Sequence, residues 1–518
     1  MIIAAYDFGT TGCKASLFQE TGDLIATSYH EYPTYFPKEG WIEQEPEDWK
    51  KAMSGTTREI LEKSKIKPAD IACMAFSGHM MGCIPVDKKG APLTKRTMLW
   101  ADNRGRPQVQ RILESVGWER FYTETGGGLD VALYPAAKIP WIKENQSEIY
   151  RRASKFIGTK DLICAWLTGN VATDYSEASN FGLFHLKDRC WHDEFLRAFG
   201  ISVDKMPSVL PSITVVGRLT SQKARTLGLV EGIPVVLGGG DVACGSAGAG
   251  AVRESVPYMC IGSAAWISVA TKDPIIRLLE RPMSICHVVP DLYTSQIIMY
   301  SAGIAYKWIR DEIFSDFPKK EKPAPFSYLD KLASSSKAGS GGLFFLPYMR
   351  PGGAPHYDMN ARGAFLGLML TTKKADLARS VLEGVAFNLR LMIMCIEEKQ
   401  SFNSIRIIGG GAKSALWRQI FADILKKDIC TLSARQEANT LGAALIGGVG
   451  IGLFDDFSAI ELFNRIEETT HFKQDTVSTY EELFLTFQKA HECLKKTNES
   501  LARFQARNHR SNMEDEQS

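Results

Sequence analysis

An eight-residue stretch near the N-terminus holds Asp7, Gly9, Thr10, Thr11, Gly12 and Lys14, in the order Asp-x-Gly-Thr-Thr-Gly-x-Lys. Glycines in a tight turn let backbone N–H groups approach a phosphate closely. Threonine hydroxyls add donors, Lys14 adds positive charge, and a carboxylate such as Asp7 can hold a hydrated divalent cation. Gly238-Gly239-Gly240-Asp241 places a second carboxylate behind a short β-branched run, unscreened by bulky neighbours. Such a group can accept the proton of an attacking hydroxyl. Gly409-Gly410-Gly411-Ala412-Lys413-Ser414 leaves room for a flat ligand against the backbone, and a helix starting there would favour anionic oxygens. Glu437-Ala438 and Leu441 to Ala444 can close the same pocket. Ser77-Gly78-His79-Met80-Met81-Gly82 and Trp100-Ala101-Asp102-Asn103-Arg104 carry groups able to bind a polyol.

Each motif also has a structural reading. The first can be a plain turn, Asp241 a helix cap, the third a glycine-rich connection, His79 a packed core side chain, and Asp102 with Arg104 a local ion pair. Other chemistries are excluded by missing patterns. Asp7-Phe8-Gly9 lacks the His-Arg-Asp of protein kinases, and neither a Gly-Lys dipeptide nor a G-x-G-x-x-G run occurs. The 61 Lys+Arg nearly cancel the 59 Asp+Glu, which provides no field for nucleic acid or an anionic membrane. The 11 cysteines form no C-x-x-C pair, so free thiols in a reducing cytoplasm are expected. No membrane span is expected either, since Ile233 to Val252, the most apolar stretch, carries six glycines and Asp241.

The elements that must position these groups follow from periodicity. Ile2 to Phe18 reads strand–turn–strand, and Pro46 to Lys63 reads as a helix. Ile71 to Phe76, Cys83 to Val86, Pro234 to Leu237, Phe344 to Tyr348 and Ile405 to Ile408 read as strands. Tyr258 to Ala270, apolar on both sides of Gly262-Ser263-Ala264, echoes the opening hairpin and suggests a duplicated architecture. Asp376 to Glu397 and Ser478 to Ala502 read as helices, the latter opened by a Ser478/Glu481 capping box. A polar, frayed tail is expected from Gln505. Strands alternating with helices indicate the α/β class, with domains at 1–246 and 247–502 and a tail at 503–518.

Together these residues resemble the FGGY family of carbohydrate kinases, within the actin/hexokinase superfamily, over almost the whole chain. Gly40-Trp41-x-Glu43-Gln44, Pro135-x-x-Lys138-Ile139-x-Trp141, Thr173-Asp174-x-Ser176-x-Ala178-Ser179, Asn360-x-Arg362-Gly363 and Gly409 to Trp417 follow the family's order. The resemblance implies two actin-like (ribonuclease H-like) domains. Each would be a mixed five-stranded sheet flanked by helices, with the ligands in the cleft between them. It implies ATP and Mg²⁺ as cofactors and a small sugar or polyol as partner, with a homodimer left open as an assembly. Asp241 would be the catalytic base and also touch the substrate. Thr10, Thr11, Lys14, Gly262, Ser263, Gly410, Gly411 and Ala412 would bind ATP, and Asp7 would serve the metal. His79, Met80, Met81, Asp102 and Arg104 would bind the sugar. The xylulokinase branch looks most similar, which makes D-xylulose the leading acceptor. That branch reads Ser-Gly-Gln-Met-His-Gly where this chain has Ser77 to Gly82, and a Met81 thioether cannot donate a hydrogen bond as an imidazole can. Val242 also stands where the branch carries Asn or Gln. A kinase for ribulose, erythritol or another polyol is the alternative, and a non-catalytic sugar sensor is a third reading.

Overall fold

The computed structural model describes residues 1–314, 325–398, 400–434 and 437–515. Two large sheets carry the chain. The first contains β1 (Ile2–Phe8), β2 (Gly12–Gln19), β3 (Leu24–Glu31), β4 (Ile71–Gly78), β5 (Val215–Arg218) and β6 (Pro234–Gly240), in the order β5-β6-β4-β1-β2-β3. The second contains β7 (Pro257–Ile261), β8 (Ala265–Thr271), β9 (Met283–Cys286), β10 (Tyr293–Met299), β11 (Ser404–Ile408), β12 (Asp428–Leu432) and β13 (Ile466–Thr470), in the order β9-β10-β8-β7-β11-β12-β13.

The two halves repeat one topology. In the first, β3, β2 and β1 pair antiparallel, β4 and β6 extend the sheet in parallel, and β5 closes it antiparallel. In the second, β10, β8 and β7 pair antiparallel, β11 and β12 add in parallel, and β13 closes antiparallel. The hairpin echo at 258–270 therefore marks a duplicated fold. Among the described residues the sheets have six and seven strands rather than the five expected. The edge strands β5, β9 and β13 are short, which limits the unpaired backbone they present.

Helices cover both sheets. Helix α1 (Pro46–Ser64) starts with proline in its first turn, carries Glu47 and Asp48 there, and ends on Lys65 in the left-handed conformation. Three further helices bear on the site, α2 (Pro135–Asn145), α3 (Thr159–Thr168) and α4 (Asp241–Gly248), and the long α5 (Lys374–Glu397) packs in the core of the second half. Near the C-terminus come α6 (Ala415–Leu425), α7 (Ala438–Gly450) and α8 (Gln474–Asp515). Among the described residues no helix is long and apolar enough to cross a membrane. Helix α8 begins before Ser478, so the expected capping box lies inside it. The chain expected to fray from Gln505 stays helical to Asp515.

The expected boundary at residue 247 falls inside α4, which runs unbroken from the end of β6. Helix α7, distant in sequence, also buries Leu441 and residues 443–446 in the same core as Ile3, Ala5, Cys73 and Ala75 of the first sheet. Each half thus lends a helix to the contact between the halves. The candidate site lies there.

Candidate active site

Asp241 stands at the first position of α4, where β6 ends. Gly238 has φ +72°, and a Cβ there would fall 1.8 Å from the Phe76 carbonyl oxygen. Only glycine lets β6 kink at this point, and its register to β4 shifts between Val236 and Gly239. The kink is held from behind. Gly240 N–H donates to Ser176 Oγ at 2.9 Å, which donates to Asp174 Oδ2 at 2.5 Å. Asp174 pairs with Lys160 at 2.8 Å, Lys160 also binds Asp161 at 2.6 Å, and all of these side chains are fully buried. The base candidate thus rests on a buried polar network with a fixed backbone.

The Asp241 carboxyl accepts the Val242 N–H at 2.8 Å and turns its other side to a cavity of about 580 Å³. Its depth in the molecule, helped by the nearby Asp7 charge, raises its pKa to about 7. Asp7 is the penultimate residue of β1, opposite Ser77 on one side and Lys14 on the other. Ser77 Oγ donates to Asp7 Oδ1 at 2.7 Å, and Asn439 Nδ2 of α7 donates to Oδ2 at 3.2 Å. Burial raises the Asp7 pKa, while those hydrogen bonds and Lys14 oppose the shift. Lys14 reaches Glu437 at 3.3 Å, and Glu437 also accepts from Ser16 and Thr440, each at 3.3 Å.

The structure brings most of the expected residues to this one cavity. Asp7, Thr10, Lys14, His79, Met80, Met81, Asp241 and Gly410 all line it. The opening turn is tied by Gly9 N–H to the Gly12 carbonyl at 3.0 Å, and Thr10 Oγ1 accepts from Trp100 Nε1 at 3.1 Å. His79 is buried, within 3.2 Å of Thr159 Oγ1 through Nε2, and faces Trp49 edge-on. Burial, then the Lys138 charge, lowers its pKa to about 4, so at neutral pH it is an uncharged imidazole.

Seven expected residues lie off the cavity wall. Asp102 and Arg104 form a buried pair at 2.7 Å. Arg104 also binds Glu43 at 2.7 Å and covers the Trp41 ring at 3.8 Å. Asp102 also accepts the Ile42 N–H at 2.7 Å, so both groups hold the loop in shape. Thr11 turns outward to the Tyr29 hydroxyl at 2.8 Å. Gly262 and Ser263 form the second hairpin turn, whose carbonyls accept from Gly303 and Ala302 at 2.9 Å. Ala412 is fully buried behind Gly410, in the short turn that leads into α6. Gly411 is the seventh: its missing side chain leaves space for Ile261, since a Cβ there would come within 2.4 Å of it.

Several lining residues had no signal in local spacing. Asn180, Trp266, Gln296 and Asn439 come from loops, strands and helices far apart in sequence. Lys138, seen only as part of a signature, proves to be a fastener. Its buried ammonium donates to the carbonyls of Met81 at 3.1 Å, Leu99 at 2.6 Å and Trp100 at 3.3 Å. It thereby ties both sugar-side loops together, although burial lowers its pKa to about 8. Among the described residues lining the cavity, Lys14 is the one cation, against the carboxylates Asp7, Asp241 and Glu437.

Comparison with known proteins agrees with this arrangement. Residues 2–248 match the N-terminal domain model of the FGGY family of carbohydrate kinases, and residues 258–451 match its C-terminal domain model. A xylulose kinase of Staphylococcus epidermidis is 30% identical over 495 residues, covering 94% of this chain and 96% of that one. A gluconokinase of Bacillus subtilis is 31% identical over 462 residues, covering 88% of each. The crystal structure of ligand-bound xylulose kinase from Lactobacillus acidophilus superposes with a TM-score of 0.88 at 27% identity, covering 96% of this chain and 99% of that one.

Proposed function

The chain belongs to the FGGY family of carbohydrate kinases, and on that premise we propose that it moves the γ-phosphoryl of ATP to a hydroxyl of a neutral ketose or polyol, with D-xylulose as the leading acceptor. The observation that carries the reading is Asp241. A carboxyl with pKa raised to about 7 shares one cavity with the Asp7–Lys14 turn and the Gly409-Gly410 turn. A general base works best when its pKa lies near the operating pH.

In this reading Asp241 accepts the proton of the attacking sugar hydroxyl and orients its oxygen. The turn at residues 9–12 and Lys14 hold the phosphates, and the Gly409-Gly410 turn leaves room for the nucleoside. Positioning and charge stabilisation then supply most of the acceleration. Three carboxylates facing one lysine would repel a polyanionic nucleotide, and oxygen ligands suit a hard cation. Asp7 would hold Mg²⁺, which when bound neutralises the phosphate oxygens. The neutral imidazole of His79 and the hydrophobic flanks of Met80, Met81 and Trp100 provide a sugar wall without net charge.

That wall favours an uncharged acceptor. The similarity to gluconokinases brings gluconate into view, but a carboxylate taken from water requires a cation or several donors. The sole lining cation among the described residues, Lys14, is tied to Glu437 on the phosphate side. The test is ADP release with D-xylulose, D-ribulose, L-ribulose, erythritol, glycerol and gluconate. Stimulation by a neutral ketose or polyol, above that by gluconate, is expected. Preference for gluconate would overturn the acceptor class, and stimulation by none would favour a sugar sensor.

A further inference from the structure

Asn180 lies just beyond Thr173-Asp174-x-Ser176-x-Ala178-Ser179 and lines the cavity that holds Asp241. It is 2% exposed, and its amide oxygen has no hydrogen-bond partner among the described residues. Its amide nitrogen meets only the Met80 sulfur, at 3.9 Å, a weak acceptor. Buried amides left unsatisfied are rare, because the lost hydration is not repaid. The backbone presenting this one is rigid. Asn180 N–H donates to the Glu177 carbonyl at 3.0 Å, and Ser179 Oγ accepts from Cys286 N–H of the second sheet at 3.1 Å. Met80 links the amide to the base: a Cβ on Gly240, the residue before Asp241, would fall 2.4 Å from the Met80 sulfur. One thioether therefore separates the orphan amide from the turn that carries Asp241.

We propose that Asn180 is a specificity-determining residue for the sugar. Its amide accepts a hydrogen bond from an acceptor hydroxyl other than the one Asp241 activates, and so reads the configuration at that carbon. This rests on the sugar-kinase reading of the site. A buried polar group matched by a substrate hydroxyl rejects the analogue that misplaces it, because the group is then left unpaired. Met80 and Met81 cannot discriminate in this way.

The experiment compares kcat/KM for the four 2-pentuloses, D-xylulose, L-xylulose, D-ribulose and L-ribulose, in the wild type, Asn180→Ala and Asn180→Ser. In the wild type the best and worst epimers should differ by about 10²-fold or more. In Asn180→Ala the spread should shrink at least tenfold, mainly through KM for the sugar, with KM for ATP unchanged. Asn180→Ser, which retains a small polar group, should lie between and guards against misfolding of the alanine variant. An unchanged spread in either active variant, or a wild type that treats all four alike, overturns the proposal. A wild type that no sugar stimulates overturns the sugar-kinase reading and this proposal with it, whereas an active but unselective alanine variant supports both.

Discussion

Asp241 has its pKa raised to about 7, and two measurable consequences follow. Only the ionised carboxylate can take a proton, so log kcat/KM should rise with unit slope below about pH 7 and level off above it. Asp241→Asn should lose turnover by ~10²-fold or more and lose that pH dependence, while still binding ATP. Wild-type turnover in the asparagine variant would refute the base assignment. The stability effect has the opposite sense. A carboxyl whose pKa is higher folded than unfolded keeps its proton longer in the fold, so its ionisation works against folding. That penalty is absent below about pH 4, grows as pH rises, and is complete above about 7. Asp241→Asn should therefore melt like the wild type at pH 4 and several degrees higher at pH 8. Equal melting temperatures at pH 8 would show that the carboxyl is not desolvated.

At the scale of elements, the kink ending β6 places the base, and glycine is what permits it. At Gly238 a Cβ would meet the Phe76 carbonyl at 1.8 Å, with φ at +72°. Gly238→Ala should cost on the order of 2–5 kcal/mol, from left-handed backbone strain plus a contact with main chain that cannot yield. Denaturant unfolding checks the number. Activity in the folded fraction should fall too, because β6 must move away from β4 and carry Asp241 with it. A variant of wild-type stability would mean that the kink is not imposed by the Phe76 backbone. Lys138 does comparable work between loops, donating to the Met81, Leu99 and Trp100 carbonyls at 2.6–3.3 Å.

For the molecule as a whole, the site exists because α4 and α7 cross at close range. A Cβ on Gly248 would meet the Ala438 carbonyl at 1.8 Å, and one on Gly442 would meet the Cys244 carbonyl at 2.0 Å. This glycine-to-backbone approach lets Asn439 reach Asp7 at 3.2 Å and Glu437 reach Lys14 at 3.3 Å. Gly248→Ala should push the helices apart, at about 1–3 kcal/mol. It should also raise KM for ATP, because Asn439 retreats from Asp7, the carboxylate proposed to hold Mg²⁺. Gly452→Ala, a glycine with open space around it, is the control and should leave KM unchanged. If Gly248→Ala also leaves KM for ATP unchanged, α7 does not set the phosphate side.

Much was legible in the chain itself. The turn with Asp7 and Lys14, the carboxylate behind three glycines, the glycine turn at 409–411 and the doubled hairpin all depend on neighbours in sequence. Backbone sterics and the period of apolar residues act over such short spans. The terminal helix runs past Gln505 to Asp515, because polar composition by itself does not end a helix. What only the tertiary structure decided was which of these groups meet. Asn180 and Asn439 reach the cavity through packing between the halves, and no spacing rule marks them. Asp102 and Arg104 looked available, yet they bury their charges against each other, Glu43 and Trp41. The physical reason is that local sequence sets turns and periodicity, whereas convergence on one cavity depends on strand order and helix crossing. Those are fixed by burial and steric fit among residues hundreds of positions apart.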